Sequence, residues 1–428
     1  MSEFVGPTIG GGAPGIINGE TTMAGSLEHV LTGLRVLDFT RALAGPTATR
    51  MFAEMGADVI KVESAPNGDL TRRMSKIRNE RSLYYVQQNL GKKSLCVDMR
   101  DARGMALVAS LVPKVDVVVE NFKPGTFEAM GLGYERLREM RADIILCSVS
   151  ALGQSGPLAK LPGYDFIAQG YSGVTSLIGD ADGTPYIPPV GIGDVSTGVH
   201  AALAILAALR HRDRSGRGQH IDVGLLDVYY HCHEVTVHQC SASNGEVKPS
   251  RNGPHLNYIC PAGVFKANGG WVVIMAFLHH WKDLCTAMNR PDLVDHERLG
   301  NDAGRLANRA EVVKLLEDWL ATFPDRDSAV DWMQKYQVPA APVLSIEETL
   351  SHPHLLARRT VRSIDDPVAG RFQIPGMPLK FSEFPQDLPL QAPTMGQHNA
   401  EILREWLGHD EAEIDALRAA KVLQESDH

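Results

Sequence analysis

Residues 34 to 64 read LRVLDFTRALAGPTATRMFAEMGADVIKVES. The opening LRVLDFT (34–40) is a short apolar run rich in β-formers and followed by turn residues, which predicts a buried strand. GPTATRMFAEMGA (45–57) then places apolar side chains at helical spacing, with Pro46 at the start and Gly56 at the stop. DVIKVES (58–64) returns to strand character. Strand, helix and strand in about thirty residues make a βαβ unit, whose crossover leaves its two strands parallel.

The same alternation continues outward. A helix is predicted in ARGMALVASLV (102–112), a strand in DVVVENF (116–122), a helix around Tyr134 to Met140 and a strand in DIILCSVS (143–150). An apolar helix follows Asp194 and runs through Leu209, and HIDVGLLDV (220–228) reads as a strand entering another helix. The basic turn between them, RHRDRSGRGQH (210–220), suits a solvated helix C-terminus, where cations meet the negative end of the dipole. This pattern predicts an α/β chain with a doubly wound parallel sheet. Beyond Gly245 the texture changes: Gly269-Gly270 marks a hairpin-like break, a helical region runs to about Tyr336, and VPAAPVLS (338–345) reads as a linker. A second, smaller unit is therefore expected between roughly 230 and 340.

Composition sets the class. At 428 residues, 44% hydrophobic and 22% charged, the chain reads as a soluble globular protein with a substantial core. A net charge of -9 argues against general nucleic-acid binding, which needs clustered cations, but leaves room for one local basic site. The most apolar run, Val199 to Leu209, is about half the roughly 20 residues that span a bilayer, so no membrane segment is expected. Residues 1–28 are glycine-rich and lack a basic segment followed by an apolar block, so they are expected to be a disordered leader. Cys96, Cys147, Cys232, Cys240, Cys260 and Cys285 follow no disulfide-framework spacing, which points to free thiols in a reducing cytoplasm.

Three chemistries are disfavoured by their motifs. Glu63 ends a second strand as in dinucleotide folds, yet the first turn, FTRALAGP, lacks G-x-G-x-x-G, so no nicotinamide cofactor is expected. His231, Glu234 and His238 in HCHEVTVHQC would share one helical face, but the segment is not H-E-x-x-H, and an interface helix explains it without a metal. GQSGP (153–157) and GYSGV (170–174) both depart from the serine elbow G-x-S-x-G. Asp194 in GIGDVSTGVH (191–200) has two readings. It is a favoured helix N-cap; equally, a helix N-terminus would hold it ionised as a nucleophile, with Gly191 and Gly193 giving a bulky ligand room.

Eight segments in order carry a resemblance that covers about Leu31 to Leu407. They are LTGLRVLDFTRALAGP, MGADVIKVE with GD-x-TR at Gly68 to Arg72, NLGKKSLCVDMR, VVVENFKPGTFEAMGLGYE, GYDFIAQGYSG, GIGDVSTGVHAALAILAAL, RSGRGQHIDVGLLD and APTMGQHNAEIL. Together they resemble the class III coenzyme A transferase family, which includes formyl-CoA and carnitine CoA-transferases and the α-methylacyl-CoA racemases. The resemblance implies that Asp194 is the nucleophile, forming an aspartyl anhydride and then an aspartyl-CoA thioester. It implies CoA contacts at Leu43, Ala44, Val97, Asp98, Arg100, Asn121, Phe122, Lys123 and Tyr164. It also implies a Rossmann-like large domain (29–230 and 345–428), a smaller inserted α+β domain (231–344) and an interlocked, ring-like homodimer. A CoA thioester is then a substrate, with no permanently bound cofactor and no metal.

The chain departs from relatives at points that bear on specificity. Ser64 and Ala129 stand where some formyl-CoA transferases have basic residues, leaving Arg72, Arg73 or Lys92 to meet phosphates. SRNGPHLNY (250–258) replaces a glycine-rich loop, and its Arg251, Asn252 and His255 suggest a dicarboxylate acid, with succinyl-CoA as one donor. For the alternative, a racemase, two bases are required. Here Tyr164 takes the place of the expected histidine and Leu278 that of the glutamate, with His279 and His280 adjacent.

Overall fold

In the computed structural model, residues 28–277 and 279–426 are described, so most of the expected leader and the Leu278 position lie outside the described residues. The quoted stretch forms β1 (Arg35–Asp38), α1 (Ala44–Glu54) and β2 (Asp58–Ser64). Pro46 sits in the first turn of α1, where its missing N–H costs nothing, and Gly56 adopts φ +91° just past the helix end. Val36, Leu37, Val59 and Ile60 are fully buried because a parallel strand is covered on both faces.

The sheet grows by β3 (Lys93–Val97), α2 (Ala102–Leu111), β4 (Val117–Glu120), α3 (Tyr134–Met140) and β5 (Ile145–Ser150). It ends with α4 (Asp165–Tyr171), α5 (Ile192–Ser215), β6 (Gln219–Gly224) and α6 (Leu225–His231). All six strands run parallel in the order β3-β2-β1-β4-β5-β6. The chain thus winds one way from β1 and then the other from β4, which leaves a crevice beyond their carboxyl ends.

One face of the sheet packs against α1 and α5 through Ala48, Phe52, Ala201, Ala202 and Ile205. The other face takes α2 and a C-terminal stretch, with Leu107, Leu111, Ile402, Leu403, Ile414 and Leu423 in one core. Residues from 260 to 338 build a separate core around β7 (Ala262–Ala267) and β8 (Gly270–Met275), joined at Gly269 and Gly270, both with positive φ. The stretch expected to be a linker supplies β9 (Ala340–Pro342), which pairs antiparallel with β8. Its alanines and prolines hid a strand that the β8 edge, rather than local propensity, stabilises.

α5 is longer than its apolar run suggested. Its 24 residues, with mean hydropathy 1.6 in the most apolar window, reach the length and composition of a membrane span. In this fold the helix instead lies along the sheet, with Ala201 and Ile205 at 0% exposure. The basic turn begins as its last helical turns, closed by Gly216 in the left-handed conformation, and Arg212 is paired with Asp116 at 3.0 Å.

Candidate active site

The loops after β1 and β4 part at the point where the sheet order reverses, and Asn121 ties them back together. Its Oδ1 accepts the Arg41 N–H and its Nδ2 donates to the Arg41 carbonyl, both at 2.8 Å. The Arg41 guanidinium then lies 4.7 Å from the centre of the Phe122 ring. Below them, Glu120 is buried, accepts the Phe122 N–H at 2.7 Å, and is pushed by burial up to about 7. The result is a cleft of about 480 Å³.

Asp194 lines this cleft together with Leu43, Ala44, Asn121, Phe122, Lys123 and Tyr164, so seven of the expected site residues come together. Tyr164 is 82% exposed there. Val97, Asp98 and Arg100 are not among the residues that line it. Val97 is fully buried beside Leu423 of the C-terminal stretch, and Asp98 and Arg100 pair with one another at 2.8 Å.

The N-terminus of α5 differs from the expected cap. The helix starts at Ile192 with Gly191 at the N-cap position, so Asp194 is inside the first turn. Its carboxyl therefore does not cap the helix; two groups from other helices do. The Gly193 N–H donates to the Tyr229 hydroxyl at 3.1 Å, and the Asp194 N–H donates to Asp165 Oδ2 at 3.3 Å. Tyr229 donates in turn to Asp165 Oδ1, and Gln169 donates to the Tyr229 hydroxyl at 3.2 Å.

This arrangement reverses one expectation. The helix end does not lower Asp194: burial first, and Asp165 second, push its carboxyl up from 3.8 to about 7. A Cβ on Gly193 would overlap Tyr229 and Asp165, so this glycine is required by helix packing, while one on Gly191 would stand 2.5 Å from Cδ2 of Leu43, a residue of the cleft wall.

Tyr84, which sequence reasoning missed, also belongs to this neighbourhood. Its hydroxyl donates to the Ala42 carbonyl at 3.3 Å, and burial, followed by the Asp194 charge, pushes it up to about 12. Nothing in its short helix, LYYVQQ (83–88), distinguishes it from the buried Tyr85 beside it. Arg41 was missed as well, since one arginine after a strand carries no signal by itself.

The alternative phosphate ligands fare unequally. Lys92 is buried and donates to Asp38 Oδ2 at 2.9 Å and to Thr49 at 2.8 Å. Arg72 is paired with Glu63 at 2.7 Å and with the Tyr85 hydroxyl at 2.6 Å. Both are engaged near the carboxyl ends of β1 and β2 and neither lines the cleft, whereas Arg73 is exposed, as are Ser64 and Ala129. The cations at the cleft are Arg41 and Lys123. The Arg251 guanidinium donates to the carbonyls of Asp180, Ser176 and Gly183, and Arg251 is not among the residues that line the cleft.

His231, Glu234 and His238 do not share a helical face. α6 ends at His231 and the next helix begins at Thr236, while His233 between them donates from Nε2 to the Ser172 carbonyl at 2.9 Å and shares a hydrogen bond between Nδ1 and the Thr236 hydroxyl at 2.7 Å. Among the described residues no cluster suited to a metal ion forms, and no histidine lines the cleft. The rings of His279 and His280 lie 4.1 Å apart, tilted by 49°, beside the separate core.

Comparison with known proteins shows the family. The profile of CoA-transferase family III matches residues 31–399. A succinyl-CoA:glutarate CoA-transferase of Mus musculus is 35% identical over 92% of this chain and 90% of its own. A succinyl-CoA:mesaconate CoA-transferase of Haloarcula hispanica is 39% identical over 88% of this chain and 96% of its own. Among solved structures, a CAIB/BAIF family protein from Brucella suis superposes with a TM-score of 0.78 at 34% identity, covering 91% of this chain and all of that one.

Proposed function

The chain belongs to CoA-transferase family III, and we propose that it moves coenzyme A from a dicarboxylyl-CoA thioester, such as succinyl-CoA, to a free dicarboxylic acid. The observation that carries this reading is the position of Asp194: a carboxyl in the switch-point cleft, its backbone N–H held by Asp165 and that of Gly193 before it by Tyr229, its side chain left to react. The relatives named for succinyl-CoA with glutarate or mesaconate support the acid class, since both acceptors are dicarboxylates.

In this reaction an ionised Asp194 oxygen attacks the thioester carbonyl. The C–S bond breaks, CoA leaves as thiolate and a mixed anhydride remains on Asp194. The thiolate then attacks the aspartyl carbonyl, releasing the donor acid as its carboxylate and leaving an aspartyl-CoA thioester. The acceptor carboxylate takes the CoA by the same two steps in reverse, so the thioester energy is conserved without ATP. A carboxyl raised to about 7 suits the role, because a more basic oxygen is a stronger nucleophile while a useful fraction stays ionised near neutrality. Arg41 and Lys123 supply positive charge for the CoA phosphates, and Phe122 a ring face for its base.

The same reading makes residues 29–230 with 345–428 a CoA-binding domain and 231–344 a smaller one, two chains interlocking as a homodimer. A stripe of exposed apolar residues on α5, with Ile192, Val195, Val199 and Leu203 at 47, 45, 41 and 65% exposure, supports a partner chain there. Six unpaired thiols fit a reducing cytoplasm.

The test is to incubate the protein with a panel of acyl-CoA donors, trap with hydroxylamine or borohydride, and map the modified peptide by mass. Modification at Asp194 is the expected result; an active donor that leaves Asp194 untouched overturns the mechanism. Run in heavy water without acceptor acid, a transferase leaves the α-proton of the donor in place, whereas a racemase exchanges it.

A further inference from the structure

We propose that the Ser150 hydroxyl is the cleft's hydrogen-bonding group for the pantetheine arm of the CoA thioester, donating to an amide carbonyl; this role rests on the CoA-transferase reading above. Ser150 is the last residue of β5 and lines the same cleft as Asp194. It is only 7% exposed, yet its Oγ meets no hydrogen-bonding partner among the described residues. Ser148, two residues earlier and so on the same side of the strand, has its hydroxyl 2.9 Å from His220 Nε2. The difference between the two serines is that Ser150 opens onto the cleft.

A hydroxyl buried without a partner is costly, and it is retained where a ligand satisfies it. The wall around Ser150 is otherwise apolar, formed by Val149, Ala151, Leu152 and Leu225, while the cations Arg41 and Lys123 come from the loops after β1 and β4. A CoA thioester has matching chemistry: anionic phosphates at one end, the reacting carbonyl at the other, and between them a mostly apolar arm whose polar groups are neutral. A neutral donor in an apolar stretch of wall fits an amide of that arm rather than a phosphate or a carboxylate.

The experiment compares wild type with Ser150→Ala in steady-state transfer from succinyl-CoA to glutarate, with thermal unfolding of both proteins. The donor KM is expected to rise about 3- to 10-fold, the loss of one neutral hydrogen bond, with kcat within about twofold. The thermal midpoint is expected to stay level or rise, because the free protein loses no hydrogen bond. Succinyl-S-pantetheine as donor should suffer the same fold increase. An unchanged donor KM, a penalty that vanishes with the pantetheine donor, a shift confined to the glutarate KM, or a lowered thermal midpoint each overturns the proposal. If the wild type turns over no CoA thioester, the transferase reading fails instead. Calorimetric CoA binding then still decides the contact: weaker binding by Ser150→Ala supports it, and equal binding overturns it.

Discussion

Asp194 and Asp165 illustrate how two carboxylates divide one helix end. Asp165 takes the backbone N–H of Asp194 and the Tyr229 hydroxyl, and its charge adds to burial, the larger cause, in raising Asp194. Since attack needs the ionised form, kcat/KM should climb about tenfold per pH unit below 7 and level off above it, read from a pH–rate profile. Asp165→Asn removes the neighbouring charge, so the midpoint should move to lower pH; a midpoint that stays put would show that burial alone sets it. Stability follows with a defined sign. The folded carboxyl is raised from 3.8 to about 7, so stability is fully present below pH 4 and is lost as pH rises toward 7. Asp194→Asn should therefore melt above wild type at pH 8, with the gap closing by pH 4. Asp194 was visible as a lone carboxylate among glycines, whereas Asp165 and Tyr229 were not assignable, because three separate segments converge to make the network.

At the scale of elements, the site depends on two close approaches. Asn121 joins the loops after β1 and β4 by two hydrogen bonds to Arg41. Asn121→Ala should cost about 1–2 kcal/mol in urea unfolding and raise the KM for CoA thioesters more than it lowers kcat. The second approach is α5 against α1, where a Cβ on Gly198 would stand 2.6 Å from Thr47 Cβ. Gly198→Ala should destabilise by about 1–3 kcal/mol through overpacking, and a neutral result in the same assay would refute the argument. Five of the six sheet strands, α1 and α3 were legible because their apolar periods are regular; β3, the short run Lys93–Val97, was not read as a strand. β9 was not, because a short edge strand of alanine and proline takes its conformation from the neighbour it pairs with. The supposed metal-ligand face failed for a related reason: spacing along a sequence describes a face only while the helix continues, and α6 stops at His231.

For the molecule as a whole, the exposed stripe on α5 is the feature that a single chain leaves without a role. An interlocked pair would cover it, so light scattering should report twice the mass of one chain. Leu203→Glu, at the most exposed point of the stripe, should shift that mass toward the monomer and reduce transfer together with it. Wild type running as a monomer would remove the dimer from the account while leaving the cleft untouched.

The sequence by itself determined the doubly wound class, the family and the aspartate proposed as nucleophile, because periodicity and ordered motifs are properties of the chain. Only the tertiary structure decided that Arg41 and Lys123 are the cations at the cleft while Lys92 and Arg72 are spent on buried pairs, since a charge is available only where folding leaves it unpartnered. It also decided that Asp194 is raised rather than lowered. A helix end favours a carboxylate only until another occupies it, and which carboxylate arrives is settled by packing among α4, α5 and α6.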